Sequence, residues 1–384
     1  MAQATFVYDP TTARFQTEMH DVYRVLRDEF PVYQDPERRF FAISRFADVW
    51  NAVHDWATFS NDHVAEADAL MPQMIYMDPP RHTELRALVS RAFTPKRMAD
   101  LEPRIREVAR ELTDRFVPTG TCDLVADFAA PLPSTVIGEA IGVPPEHLES
   151  FRDWTEQFIS ITGPEDFAEA AAKIYGLFGE LLAERKANPR DDLMSALIAA
   201  EIDGEHLSDE ELLGFSFLLL IAGNDTTTTL IGLGAELLAR HPDQRAELVA
   251  DPALIPGALE EMLRIEAPTQ VLPRTAMRDV ELHGVTIPAD SRVILVTGAA
   301  QHDDREFDEP ELFDLHRDIE RHVGFGFGSH LCVGAALARL ETRVAFEELL
   351  ARYPNYEIGE AIVRAYSSNV RGLARLPIVL EPKG

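Results

Sequence analysis

The chain is expected to form a single, mainly α-helical unit with a small β-rich portion, and three features predict this. Apolar residues recur at helical spacing through most of residues 101–207. A capping box, Ser208 with Glu211, then opens a long apolar helix that runs to about Arg240 and stops before His241-Pro242. Leu337, Leu340, Val344 and Leu349 repeat the helical period after Ala335. Strand-like alternation is confined to short runs.

The 384 residues could fill two or three average domains. No linker, repeat or biased run divides them, so residues 1–384 are read as one domain with a sizeable core. The net charge of −29 excludes nucleic acid and anionic membrane surfaces as partners, because a polyanion repels both. MAQATFVYDP carries no targeting pattern, and the longest apolar run, within residues 212–223, is shorter than the roughly 20 residues that span a bilayer. A soluble, cytoplasmic monomer is expected. Cys122 and Cys332 are the only cysteines, too few for a disulfide framework, and Cys122 is read as structural.

In chain order, residues 19–30 read as a helix, followed by a strand pair, Pro31-Val32-Tyr33 and Phe40-Phe41-Ala42-Ile43, and by a partly apolar loop over 61–76. Met77-Asp78-Pro79-Pro80 ends an extended stretch and opens a helix on which His82 and Arg86, spaced i, i+4, share a face able to grip a carboxylate. Residues 81–115 hold nine basic and six acidic side chains, a basic island that is either a docking patch or a solvated helix face. Phe151, Trp154, Phe158 and Ile159 form one apolar stripe, and Ile174, Leu177, Phe178 and Leu181 another; both are expected in the core. The long helix carries Ala222-Gly223-Asn224-Asp225-Thr226-Thr227 at its centre. An acid, β-branched residues and a glycine are poor choices for a buried helix, and such locally broken rules mark function. Beyond it lie Glu261 and Arg264, the loop Pro268 to Ala276, strand-like runs over 280–285 and 292–296, and the turn Ser367-Ser368-Asn369-Val370-Arg371-Gly372-Leu373.

Phe325-Gly326-Phe327-Gly328-Ser329-His330-Leu331-Cys332-Val333-Gly334 delivers Cys332 to the start of the last long helix. Unpartnered N–H groups and the helix dipole favour an anionic sulfur there, so the thiol is expected to be depressed and to seek a metal. Gly326, Gly328 and Gly334 leave room for a tight turn and for a flat ligand.

Phe-Gly-x-Gly-x-His-x-Cys-x-Gly matches the haem-ligand loop of the cytochromes P-450 at every fixed position, and Ala338-Arg339 with Glu341 continues the likeness. The chain thus resembles the soluble bacterial branch of that family. The resemblance implies the cytochrome P-450 fold, with haem b between the long central helix and the cysteine loop. It implies Cys332 as the iron ligand, with Phe325, Gly326, His330 and Gly334 about the cofactor, and His82, Arg86 and Arg274 toward its propionates. Glu261 and Arg264 become a structural ion pair joined by Arg317. The segment from Ala222 to Thr227 becomes a locally opened helix in which Gly223 leaves room for oxygen. Thr226 hydrogen-bonds dioxygen or a nearby water, and Asp225 connects to a proton relay. Ala222, Gly223, Val271 and Val370 are expected at the substrate pocket, under a movable helical roof. One departure stands out: Gln301-His302-Asp303 occupies a place where relatives usually read Asn-Arg-Asp, which puts the local packing in question.

The activity implied is a monooxygenase that inserts one oxygen atom from dioxygen into a hydrophobic small molecule. No nicotinamide or flavin segment is recognised, so electrons are expected from an iron–sulfur ferredoxin fed by an NAD(P)H-dependent ferredoxin reductase, docking near the basic island, Arg339 and Arg343. A peroxide-using haem-thiolate peroxygenase and a haem-thiolate sensor or carrier are the rival readings; neither needs the acid–threonine pair.

Overall fold

The computed structural model describes residues 6–10, 12–37, 39–62, 71–116, 120–159, 164–202, 204–366 and 369–381. The chain enters through α1 (Ala13–Glu29), which starts earlier than the apolar pattern predicts because Thr12 caps it, its hydroxyl accepting the Phe15 N–H. β1 (Val32–Gln34) and β2 (Phe41–Ile43) form the expected antiparallel pair. They are followed by α2 (Phe46–His54), β3 (Phe59–Ser60), a 3-10 turn at Met74–Tyr76, and then α3 (Arg81–Ala92), α4 (Pro95–Asp100) and α5 (Glu102–Asp114). β4 (Thr121–Asp123), one π-helical turn at Val125–Ala129, α6 (Pro131–Ile141), α7 (Leu148–Ile159), α8 (Pro164–Ala187) and α9 (Leu193–Ile198) lead to the long helix α10 (Asp209–Arg240).

The capping box forms as predicted: the Glu211 N–H donates to Ser208 Oγ at 3.2 Å and the Ser208 N–H to Glu211 Oε2 at 2.8 Å. Around α10 pack α6, α8, α12 (Ile255–Ile265) and α14 (Ala335–Arg352), with α11 (Pro242–Ala250) at its end. By length and apolarity α10 could cross a bilayer, the only such helix among the described residues. Its apolar surface is instead spent on this packing, with Leu219, Leu220, Leu230 and Ile231 buried. Both predicted stripes enter the same cluster through Phe151, Ile174, Leu177, Phe178 and Leu181. The side chains of Phe158 and Ile159 lie outside the described residues, as do 63–70 of the apolar loop.

The β portion is small and lies to one side. β5 (Leu272–Ala276), β6 (Val280–Leu282), β7 (Val285–Ile287) and β8 (Arg292–Leu295) follow α12, and a five-stranded sheet takes the order β1-β2-β8-β5-β3. Within it β2 and β8 run parallel, Phe41 opposite Val293 and Ile43 opposite Leu295, and both apolar faces sink into a second core with Phe46 and Val323. α13 (Thr297–Ala300), β9 (Asn355–Ile358), β10 (Val363–Tyr366), β11 (Arg371–Arg375) and β12 (Pro377–Glu381) complete the chain; β12 pairs with β4 and β9, tying the carboxyl end to the middle of the sequence.

The Gln301-His302-Asp303 departure is fully packed. Gln301 Nε2 donates to the Leu263 carbonyl, His302 Nε2 to that of Ile265, and Asp303 accepts the Phe46 N–H.

Candidate haem site

Two glycines explain the shape of the cysteine loop. Gly326 and Gly328 sit at φ +66° and +67°, which side chains rarely adopt. The turn they make brings the Cys332 N–H back onto the Phe325 carbonyl at 2.9 Å. Gly334 works differently: its φ of −84° is unremarkable, but a Cβ there would stand 3.9 Å from Cys332 Sγ and begin to cover the sulfur. α14 starts at Ala335, so the thiol does lie at a helix amino end. The expected depression of its pKa is not found. Burial pushes the Cys332 thiol up, and the Gly334 and Ala335 N–H groups with the Arg86 and Arg339 charges only partly offset it. Although the residue presents surface to open space, desolvation of the sulfur outweighs the dipole. A thiolate there requires a positive metal ion in front of it.

A ring of cationic and neutral donors faces the sulfur. α3 begins directly after Pro80 and carries His82 and Arg86 inward. His82 is buried, and its ring stacks on that of His330 at 3.9 Å between centroids. Burial first, then neighbouring Arg86, lowers the His82 pKa; burial, His82 and Arg274 take His330 down to about 3. His82 Nδ1 and His330 Nε2 are buried polar atoms without a hydrogen-bond partner. Arg274, on β5, is buried with only the Pro273 carbonyl to accept from it among the described residues, and burial lowers it to about 10. Neither Arg86 nor Arg274 forms an ion pair among the described residues. Buried guanidinium and imidazole donors left unsatisfied cost free energy unless an anion meets them. Two carboxylates of a flat, iron-bearing ligand would meet both needs, so the residues fit haem b: Cys332 for the metal, and His82, Arg86 and Arg274 for the propionates.

Asp78 positions this ring and was not legible as such in the sequence. Its carboxylate accepts from the Ser60 hydroxyl at 2.5 Å and the Asn61 N–H at 3.0 Å, while its carbonyl accepts the His82 N–H at 3.0 Å. The Asp-Pro-Pro run was the available signal. Arg339 was equally missed as a brace: it lies 4.5 Å over the Phe325 ring and grips Glu260 through Nε at 2.7 Å and Nη2 at 2.8 Å.

On α10, Asn224 is buried and accepts from the Ser134 hydroxyl of α6 at 2.9 Å. Asp225 has no hydrogen bond or ion pair among the described residues, and burial raises its carboxyl to about 6. The Thr226 hydroxyl donates to the Ala222 carbonyl at 2.6 Å. The helix is therefore continuous here rather than locally opened, the back-bond holding the carbonyl that an opening would free. Beside it, a Cβ on Gly223 would meet only Ile137 Cγ1, at 3.9 Å, which leaves space on that side. Ala222 is exposed and Val370 half-buried, whereas Val271 is buried among Tyr23, Leu26 and Val296. The two loops expected at the pocket do meet: Thr269 bridges to Val370, and the Gln270 N–H donates to the Asn369 carbonyl at 2.8 Å. Ser367 and Ser368 lie outside the described residues.

The structural ion pair is as the motif implies. Glu261 and Arg264 are wholly buried and doubly bonded at 2.7 and 2.8 Å, and Arg317 Nε reaches Glu261 at 3.1 Å. Arg264 also donates to the carbonyls of Gln301, Pro310 and Leu312. The basic island, by contrast, is largely neutralised from within: Arg104 pairs with Glu139, Arg106 and Arg110 with Glu348, and Arg343 with Glu102.

Comparison with known proteins agrees with this geometry. The family model described as Cytochrome P-450 matches residues 157–252 and 253–356. The chain is 40% identical to a putative cytochrome P-450 123 of Mycobacterium tuberculosis, covering 98% of both chains. It is likewise 40% identical to the vitamin D(3) 25-hydroxylase of Pseudonocardia autotrophica, covering 98% of this chain and 97% of that one. Among solved structures, CYP109Q5 from Chondromyces apiculatus superposes with a TM-score of 0.93 at 38% identity over 98% of each chain. CYP109E1 from Bacillus megaterium, in complex with testosterone, superposes at 0.89 and 34% identity over 94% of this chain and 99% of that one. Likeness that runs through every element carrying the thiol, its ring of donors and the central helix makes this chain a member of the cytochrome P-450 family, the haem b monooxygenases.

Proposed function

We propose that the protein inserts one oxygen atom from dioxygen into an apolar, steroid-like molecule, by hydroxylation or epoxidation. In this reading two electrons come from an external iron–sulfur ferredoxin and its NAD(P)H-dependent reductase, and two protons accompany them, so that the second oxygen atom leaves as water. The observation that carries it is Asp225: a half-buried acid, without a partner among the described residues, that holds its proton up to about pH 6 one residue before Thr226 on the central helix. A carboxyl poised near neutrality gives and regains protons during turnover. A peroxide user or a carrier has no use for that device.

Bound haem b, through the Cys332 thiolate, supplies an electron-rich iron that favours O–O cleavage. The chain's own part is to hold the propionates with His82, Arg86 and Arg274 and to keep bulk water away with the apolar packing of α10 against α6 and α14. Protons pass inward from Asp225 by way of the Thr226 hydroxyl. Ala222, Gly223, Val271 and Val370 are proposed at the substrate chamber. The substrate class is supported by the relative named as a vitamin D(3) hydroxylase and by the structure with bound testosterone. Electron delivery is proposed on the side where α4 packs against α14, close behind Cys332, with exposed Arg91 and Lys96 meeting the acidic donor.

The test is a titration of the haem-loaded protein with steroids, secosteroids, fatty acids and aromatic compounds, following the Soret band. Turnover of the best binder under heavy-isotope dioxygen with a surrogate ferredoxin system comes next. Label in the product and strict dependence on reduced nicotinamide are expected. Product formed as fast from hydrogen peroxide alone would replace this reading with the peroxygenase one.

A further inference from the structure

His302, in the Gln301-His302-Asp303 run, lies in a cluster that the haem chemistry does not use. His302 is buried on the turn after α13, His20 sits on α1, and Glu311 lies beyond the turn, half exposed. His20 Nδ1 is 2.9 Å and His302 Nδ1 3.0 Å from the same carboxylate oxygen, Glu311 Oε2. The rings meet edge to face at 4.7 Å. Despite these short approaches, neither Nδ1 makes a properly directed hydrogen bond, and both atoms are buried.

The tautomer of His302 turns this crowding into an argument. Its Nε2 lies 3.1 Å from the Ile265 carbonyl, which can only accept, so Nε2 carries the hydrogen and, in the neutral ring, Nδ1 presents a lone pair. A lone pair facing a carboxylate oxygen at 3.0 Å is repulsive unless a positive centre lies between them. A backbone carbonyl holding the far nitrogen is also how proteins commonly orient a metal-ligating histidine. The other carboxylate oxygen, Oε1, is steadied by Arg27 Nη2 at 3.8 Å.

We propose that His20 Nδ1, His302 Nδ1 and Glu311 Oε2 bind a divalent transition-metal ion of the zinc class. Two imidazoles and one carboxylate are a donor set that such ions favour. The three ligand atoms lie within 4.8 Å of one another. Bonds of about 2.0–2.2 Å place ligands about 3.4 Å apart around a tetrahedral ion, so the two nitrogen–oxygen separations of 2.9 and 3.0 Å widen by a few tenths of an ångström to admit it. His20 and Glu311 also help to line a cavity of about 480 Å³ with Asp21, Arg24 and Glu236. That cavity gives the ion an entry path and room for a water ligand. The ion clasps α1 to the segment whose Gln301 and Pro310 carbonyls hold Arg264, and it acts on stability rather than on oxygen chemistry.

The test uses the haem-loaded protein, dialysed against a chelator that leaves the haem in place and then titrated with zinc. Bound metal is counted by mass spectrometry and the unfolding midpoint is followed. The wild type is expected to take up one equivalent more than His20→Gln or Glu311→Gln, and to gain a zinc-dependent rise in midpoint that both variants lose. Their carbon-monoxide difference spectra should match the wild type. His302→Gln is a third variant, expected to lose the same uptake and midpoint rise; if it folds poorly, the two less buried positions decide. Uptake and midpoint shift that are the same in wild type and in His20→Gln, or no uptake by the wild type, overturn the proposal and leave the trio as an ion-pair cluster.

Discussion

Cys332 shows at the scale of a residue how two local effects compete. The helix end and two guanidinium groups favour the thiolate, yet burial wins and raises the thiol, because desolvating an anion costs more than nearby dipoles return. The same logic makes Asp225 a reluctant acid and Thr226 its neighbour of consequence. Thr226→Ala is expected to bind substrate as before but to release peroxide at the expense of product; tightly coupled turnover in that variant would count against proton delivery by this pair. Glu341 on α14 offers a thermodynamic check. It is fully buried, its Oε1 has no partner, and burial raises its carboxyl from an ordinary 4.5 to about 8. The folded chain then binds a proton that the unfolded chain has released, so stability falls as pH rises from about 4.5 to about 8 and levels off above. Glu341→Gln escapes that loss. Its advantage in unfolding free energy should be small at pH 5 and grow toward about 3–5 kcal/mol at pH 8; a gain independent of pH would mean that the carboxyl is not held neutral.

Elements meet with little tolerance around α10. A Cβ on Gly234 would lie 2.8 Å from Phe346 Cζ on α14 and 2.9 Å from Met262 Sδ on α12. Phe346 is wholly buried and its ring must shift to make way, so Gly234→Ala is expected to destabilise by about 1–3 kcal/mol in denaturant unfolding. An unchanged midpoint would show that these helices can slide apart. The helices themselves were largely legible beforehand. Ser208 and Glu211 announced the start of α10, and the apolar period announced α14. That α10 stays closed at Ala222 was not foreseeable, since whether Thr226 bonds back to the Ala222 carbonyl depends on what else the hydroxyl can reach.

The whole molecule is strongly acidic, and its basic run does not survive as a patch. Arg104, Arg106, Arg110 and Arg343 are drawn into pairs with glutamates from distant segments, which leaves exposed Arg91 and Lys96 without ion pairs among the described residues. Steering of the acidic electron donor proposed above then falls to few charges. Replacing both by glutamate should slow ferredoxin-dependent reduction by about tenfold and weaken its salt dependence, while the chemically reduced carbon-monoxide spectrum stays as it was. Unaltered reduction kinetics would move the docking site elsewhere.

The thiol loop, the paired His82 and Arg86, the acid–threonine pair and the ion pair of Glu261 with Arg264 were all readable from the primary structure. Each is a short-range pattern in which spacing along one helix or turn decides the geometry. The tie of Asp78 to Ser60 and Asn61 under the donor ring, the pairing of the basic run with remote glutamates, and the meeting of His20 with His302 and Glu311 arise between residues far apart in the chain. Only tertiary packing brings such groups within bonding distance, and only burial then decides which of them keep their charge.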